Sequence, residues 1–328
     1  MARCVLAGDV GGTKTNLAVY GVSGHGQLTL VREASVASRE AASLEAVVEA
    51  FLAPGHERIA AAAFGVAGPV LGGMVDVTNL PWHVEALSLG RAIGCPSVRL
   101  LNDLETTAYG ALYVDDREIL VLSPGEPLAG NRAVIAAGTG LGQGVLFWDG
   151  HRYHPSATEG GHVDFGPRDD REAALLRFLR PRVGRVTWER VLSGPGLHNV
   201  FTYLVEGEGR APAPAVRARL AAEDPSAVIG QLGVAGGCAV CEEAVDLFVS
   251  LYGSQAGNLG LSALAVGGVY VGGGIVTKLL PKITGGRFVQ AFHDKEPHES
   301  LMRRMPLSVI LTPKASLLGA AYVAAELL

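Results

Sequence analysis

The chain has 328 residues, 48% hydrophobic and 18% charged, which excludes wholesale disorder and suffices for one large or two ordinary domains. A formal net charge of -5, with no Lys/Arg cluster, argues against a nucleic-acid surface. The longest apolar run, 259–276, carries many glycines and a serine, so a buried helix followed by a strand is expected there rather than a membrane span.

The first element is an apolar run, a glycine turn and a second apolar run over 6–20, the pattern of a β-hairpin. Its turn holds Asp9, Gly11, Gly12 and Thr13. Glycines let backbone N–H groups approach a ligand closely, which suits a phosphate. A Walker loop is excluded, because Thr13 stands where that pattern needs glycine and a strand, not a helix, follows. Leu44, Val47, Val48, Phe51 and Leu52 repeat at helical spacing. A strand is expected over 59–66, and a short one over 75–77 running into Asn79-Leu80-Pro81-Trp82, a loop broken by proline. Another strand, 98–101, ends at Asn102 and Asp103, either of which suits the N-cap of a helix over 104–113.

The pattern restarts near Asp115, and the boundary between two lobes is set there. Residues 134–147 repeat the first plan, with Gly138, Thr139 and Gly140 at the turn; Gln143 breaks the G-x-G-x-x-G fingerprint. Two similar hairpins far apart imply two similar lobes that offer their turns to one ligand between them. Glu159 and His162 flank a Gly-Gly loop, where donors and acceptors suit sugar hydroxyls. Asp164 is too close in sequence for the three to converge on one metal ion. A helix is expected to open at Pro167 and stop at Pro181. Glu189 follows Trp188 at a helix start, and a surface link spans 207–214. A long helix is expected over 238–265, then a strand, and a glycine turn at Gly273 and Gly274 leading into a helix. A last strand over 309–311 and an apolar helix over 315–328, packed back on the first lobe, complete the chain.

The cysteines are Cys4, Cys95, Cys238 and Cys241. No signal peptide precedes the first strand, so reduced thiols and a cytoplasmic location are expected. Cys238 and Cys241 form a C-x-x-C without a second Cys or His pair, which favours packing over metal binding. A carboxylate at a strand end beside an amide can bind and deprotonate a hydroxyl, which makes Asp103 the candidate base.

The order of these motifs resembles the bacterial glucokinase family of the hexokinase/actin-like ATPase superfamily over nearly the whole chain. Residues 8–13 resemble its first phosphate motif and 137–142 the second. Residues 101–103 resemble the segment with the catalytic Asp, 159–165 and 189–197 the sugar-binding segments, and 272–276 the adenosine motif. Lys14 and the segment 79–82 are closer to the related ROK sugar kinases, yet Arg168 to Arg171 stands where those carry a Cys-rich zinc segment, so no zinc is expected.

The resemblance implies an α/β fold of two RNase H-like/actin-like ATPase lobes with a ligand cleft between them. The small lobe would be 1–113 plus 313–328 and the large lobe 114–312. It implies an ATP-dependent glucokinase that phosphorylates the 6-hydroxyl of D-glucose, the first step of glycolysis, acting as a homodimer. Asp103 would be the base, and Asn79, Asn102, Glu159, His162 and Glu189 would hold the sugar. Asp9, Gly11, Gly12, Thr13, Gly138, Thr139, Gly140, Gly273 and Gly274 would serve ATP, with Asp9 positioning Mg²⁺ through water. A sugar-responsive regulator would need an N-terminal DNA-binding domain, for which Leu6 leaves no room. An actin-like ATPase or acyl-phosphate kinase would not need Glu159, His162 and Glu189 together. The breadth of hexose selectivity, and ATP against polyphosphate as donor, stay open.

Overall fold

A computed structural model describes residues 3–55 and 57–328. The strands are β1 (Arg3–Val10), β2 (Lys14–Val22), β3 (Leu28–Ala37), β4 (Ile59–Val66), β5 (Met74–Asp76), β6 (His83–Glu85), β7 (Val98–Asn102), β8 (Ile119–Ser123), β9 (Arg132–Ala137), β10 (Leu141–Trp148), β11 (Tyr153–Thr158), β12 (Gly268–Gly272) and β13 (Leu307–Ile310). One sheet runs β3-β2-β1-β4-β7 and a second runs β11-β10-β9-β12-β13-β8. Apart from the extra edge strand β8, the two share one order, in which a three-strand meander leads into two further strands. In both, the first strand of the meander pairs in parallel with the next main strand, β1 with β4 and β9 with β12. The repeat suspected from the two glycine hairpins is thus a repeat of the whole sheet plan.

The chain divides into two compact units. The first comprises Met1–Glu118, Gly144–Ala157 and Thr312–Leu328, the second Ile119–Gln143 and Thr158–Leu311. Residues 144–157 fall in the first unit, although their strands β10 and β11 belong to the second sheet. Gly144 lies so close to the helix Asp103–Gly110 that a Cβ would sit 2.8 Å from the Leu104 carbonyl.

In the first unit, side chains alternate across each strand, so neighbours in sequence face opposite ways. Leu6 and Leu17 join Phe64 and Trp82 in a core closed by the helices Leu44–Leu52 and Ala86–Ala92. Ala7 and Ala18 face the other way and meet Leu317, Ala320 and Ala321 of the C-terminal helix Ala315–Glu326. Small residues there let the helix come close to the sheet. The same helix crosses Asp103–Gly110 with backbone nearly touching backbone, because Gly110 and Gly319 face each other. A Cβ at Gly319 would collide with the Thr106 carbonyl. Gly319→Ala should therefore destabilise the protein by about 1–3 kcal/mol, as overpacking does. A lowered thermal midpoint would show it, and an unchanged midpoint would mean that the crossing can spread.

Most expected elements are present, with shifted ends. Strand β3 was not anticipated: it is an edge strand with mostly exposed or half-buried residues, so it lacks the apolar signature of a core strand. The helix expected to stop at Pro181 instead runs Asp170–Val183, with Asp169 as its cap and the proline inside. A proline in the last turn forfeits one N–H bond, and the helix ends two residues later, before Gly184 at φ 73°. Among the described residues, no helix is long and apolar enough to cross a membrane.

Candidate functional site

Within the first unit, the β1–β2 turn is closed by a bond from the Gly11 N–H to the Lys14 carbonyl, 2.9 Å. Asp9 lies at the end of β1. Its carboxylate accepts from Asn16 Nδ2 at 3.1 Å and from Ser316 Oγ at 2.8 Å. Burial pushes the Asp9 carboxyl above the usual carboxylate range, and those two donors oppose the rise. Asn79 abuts the turn: a Cβ on Gly12 would come within 3.2 Å of Asn79 Cβ. Asn79 itself has φ 65°, a left-handed conformation in which Asn is among the better tolerated residues.

Asn102, not Asp103, caps the following helix. Its Oδ1 accepts from the Leu104 N–H at 2.9 Å, and its own N–H donates to Glu105 Oε2 at 2.8 Å, completing a capping box. Its Nδ2 donates to the Gly68 carbonyl at 3.0 Å, tying the β4 loop to the end of β7. The open alternative from the sequence is resolved, and Asn102 is busy with structure. Asp103, half-buried, takes the first helical position, where the N-terminal end of the helix dipole favours a negative side chain. Its backbone carbonyl accepts from Thr106 Oγ1 at 2.9 Å and Thr107 Oγ1 at 2.8 Å. Thr106 Oγ1 also lies 2.9 Å from Ser316 Oγ, so two buried hydroxyls connect the Asp103 backbone to the Asp9 carboxylate. Neither hydroxyl was singled out from sequence.

Within the second unit, Glu159, His162 and Glu189 come together. His162 Nε2 is 3.8 Å from Glu159 Oε2, and its Nδ1 is 4.0 Å from Glu189 Oε1. Two backbone bonds assemble them: Phe165 N–H to Val186 O at 3.0 Å and Trp188 N–H to Val163 O at 3.0 Å. Beneath, the buried rings of Phe165 and Trp188 meet edge to face, 4.9 Å between centres. Asp164 points elsewhere, into a 2.5 Å bond from Arg185 Nε. The other oxygen of Glu189 accepts the Leu141 N–H at 3.0 Å and lies where a Cβ on Gly140 would be, 2.6 Å away. Glu189 is thus joined both to the His162 group and to the second glycine turn. That turn is closed by Gly138 N–H to Gly140 O at 2.8 Å, and Gly194 N–H donates to Gly138 O at 2.8 Å.

Gly273 follows β12 with φ 90°, and its Cα faces the Ala137 backbone so closely that no side chain fits. A Cβ on Gly138 or Gly274, by contrast, would meet nothing within 4 Å. The protein's own packing does not demand glycine at these two places, whereas a ligand lying against the backbone would.

Among the described residues no three His, Cys, Asp or Glu side chains cluster as a metal site. A lone carboxylate such as Asp9 fits an ion like Mg²⁺, which keeps most of its waters and takes phosphate oxygens. Cys238 caps the helix Ala239–Ala263 through a 3.4 Å bond from the Cys241 N–H. Arg168 is engaged with Glu172, its Nε at 3.0 Å from Oε1.

The glucokinase family profile matches residues 6–327. A glucokinase of Nostoc sp. is 36% identical over 98% of this chain and 99% of its own. The structure of a glucokinase from an Antarctic psychrotroph superposes with a TM-score of 0.87 at 27% identity, covering 99% of this chain and 100% of the other. A ROK-family glucokinase from Streptomyces griseus, solved with glucose and AMPPNP, has a TM-score of 0.65 at 22% identity, covering 98% of this chain and 99% of the other, a likeness of fold alone. The fold is that of the actin-like ATPases. With a profile match across almost its full length and a close relative covered end to end, this chain belongs to the glucokinase family.

Proposed function

We propose that this chain transfers the γ-phosphoryl group of ATP to the 6-hydroxyl of D-glucose, giving glucose 6-phosphate and ADP. Glu189 carries the reading, because one of its oxygens holds the second glycine turn at Leu141 while the other faces His162. A single side chain therefore serves both a hydroxyl-binding group and a phosphate-binding turn.

In this reading Asp103 accepts the proton of the 6-hydroxyl as O6 attacks the γ-phosphorus. The bond to the β–γ bridging oxygen breaks and ADP leaves. Glu159 and Glu189 accept hydrogen bonds from the other hydroxyls, and His162 between them holds a third contact. Asn79 and Asn102 are further sugar contacts that the family resemblance implies, Asn102 acting mainly by holding the Asp103 helix and the Gly68 loop. Backbone N–H groups of Gly12, Thr13 and Gly140 face the transferring phosphoryl, with Gly11, Gly138 and Thr139 shaping their turns and Gly273 and Gly274 facing the adenosine. Asp9 would hold Mg²⁺ through water, and the ion would supply neutralisation of the phosphate charge. Phosphoryl transfer depends chiefly on positioning and electrostatics, so several modest contacts suffice. A cytoplasmic homodimer is proposed on the family resemblance.

The test is ADP release with Mg-ATP across a panel of hexoses, with a no-sugar control. Turnover with glucose and little with its epimers is expected, since three side chains read the hydroxyls. Equal turnover on several hexoses would broaden the substrate class, and turnover without sugar would overturn the proposal in favour of an ATPase.

A further inference from the structure

Tyr252 lies in the middle of the helix Ala239–Ala263 and is fully buried. Its ring packs edge to face against Phe248 and Phe288, with centres 6.0 and 5.4 Å away. A tyrosine buried this deeply needs partners for its hydroxyl, or it costs more than phenylalanine would. Here the partners are backbone groups. The hydroxyl oxygen accepts the Ala137 N–H at 3.0 Å, and its proton faces the Gly272 carbonyl at 3.2 Å, with the Ile135 carbonyl at 3.4 Å.

The position of those groups matters. Strands β9 and β12 pair in parallel up to Ala136 opposite Gly272. One residue further on, the chains part into the turns Gly138–Gly140 and Gly273–Gly274. Where a ladder ends inside a core, its last N–H and C=O groups need other partners. Tyr252 supplies them with one atom that accepts from one strand and donates to the other.

From this we infer that Tyr252 is a positioning residue for the nucleotide, setting the distance between the two glycine turns through its hydroxyl. The inference rests on the proposed kinase reading, in which both turns face ATP. Tyr252 touches no substrate in that scheme and acts only through Ala137 and Gly272. Without the hydroxyl, the Ala137 N–H is left unpaired in a dry interior, and the turns are free to shift.

The experiment compares wild type, Tyr252→Phe and Phe248→Leu by calorimetric titration with ADP and, separately, with glucose. Phe248→Leu trims the neighbouring ring but keeps the hydroxyl bridge, so it reports general loosening. Tyr252→Phe is expected to weaken ADP binding roughly tenfold, the scale of one unmade buried hydrogen bond, with glucose affinity little changed. Phe248→Leu should lower the thermal midpoint yet leave ADP affinity near wild type. An unchanged ADP affinity in Tyr252→Phe overturns the inference, as does an equal loss in both variants. If wild type binds glucose but not ADP, the kinase reading itself fails, a result distinct from either. Hydrogen exchange on wild type gives a reading that needs no substitution: ADP should slow exchange in residues 250–254 as well as in the two turns. Protection confined to the turns would also overturn the inference.

Discussion

Asp103→Ala should lower kcat by ~10²–10⁴, the usual span for loss of a general base, while glucose still binds. The structure makes this substitution informative. The helix cap is built from Asn102 and Glu105, and Asp103 holds Thr106 and Thr107 through its backbone carbonyl, which alanine keeps. The loss should therefore fall chiefly on chemistry, with a stability cost of about 0.3–1 kcal/mol for the negative charge removed from the helix N-terminus. Steady-state kinetics beside a calorimetric glucose titration checks it. Turnover near wild type would remove Asp103 from the role of base, and lost glucose binding would make it a sugar ligand instead. Asn102→Ala makes the useful contrast, since it removes the cap and the Gly68 bond together and should show first as lost stability.

Glu189→Ala should cut kcat/KM for glucose by roughly 10²-fold, the scale of one lost charge-assisted hydrogen bond at a half-buried site. It should also raise the KM for ATP, because the Leu141 N–H loses its acceptor and the second turn its brace. Glu189→Gln separates the two effects. Its amide oxygen can still accept from Leu141, so the nucleotide KM should return towards wild type while the glucose defect persists. A Glu189→Ala enzyme with unchanged kinetics for both substrates would break the link between the hydroxyl-binding group and the phosphate turn.

How much of this was legible in the sequence depended on which residues leave a local mark. Glycine turns do, because a chain needs glycine where backbone must lie bare or bend sharply. The turns at Gly11, Gly138 and Gly273 could therefore be located, and the first two revealed the repeat that the sheet order displays in full. Strand β3 leaves little mark, because an edge strand is freed from the apolar pattern that burial imposes. The cap was ambiguous because Asn102 and Asp103 are both good caps, and only three-dimensional partners choose between them.

The grouping of Glu159 and His162 with Glu189 was expected only from resemblance. Its cause, a pair of backbone bonds between the 163–165 and 186–188 segments over two packed rings, has no local signature. Tyr252, Thr106 and Ser316 were passed over for a similar reason. A polar residue buried on a helix looks like ordinary core filling until its partner is known, and those partners lie 115, 210 and 307 positions away.

The most direct test of the central claim is to follow glucose and Mg-ATP by phosphorus and carbon NMR and identify the product. The account predicts one phosphate monoester, on C6, formed in step with ADP and absent without enzyme. Phosphate on another hydroxyl, or ADP and free phosphate with glucose unaltered, would contradict it.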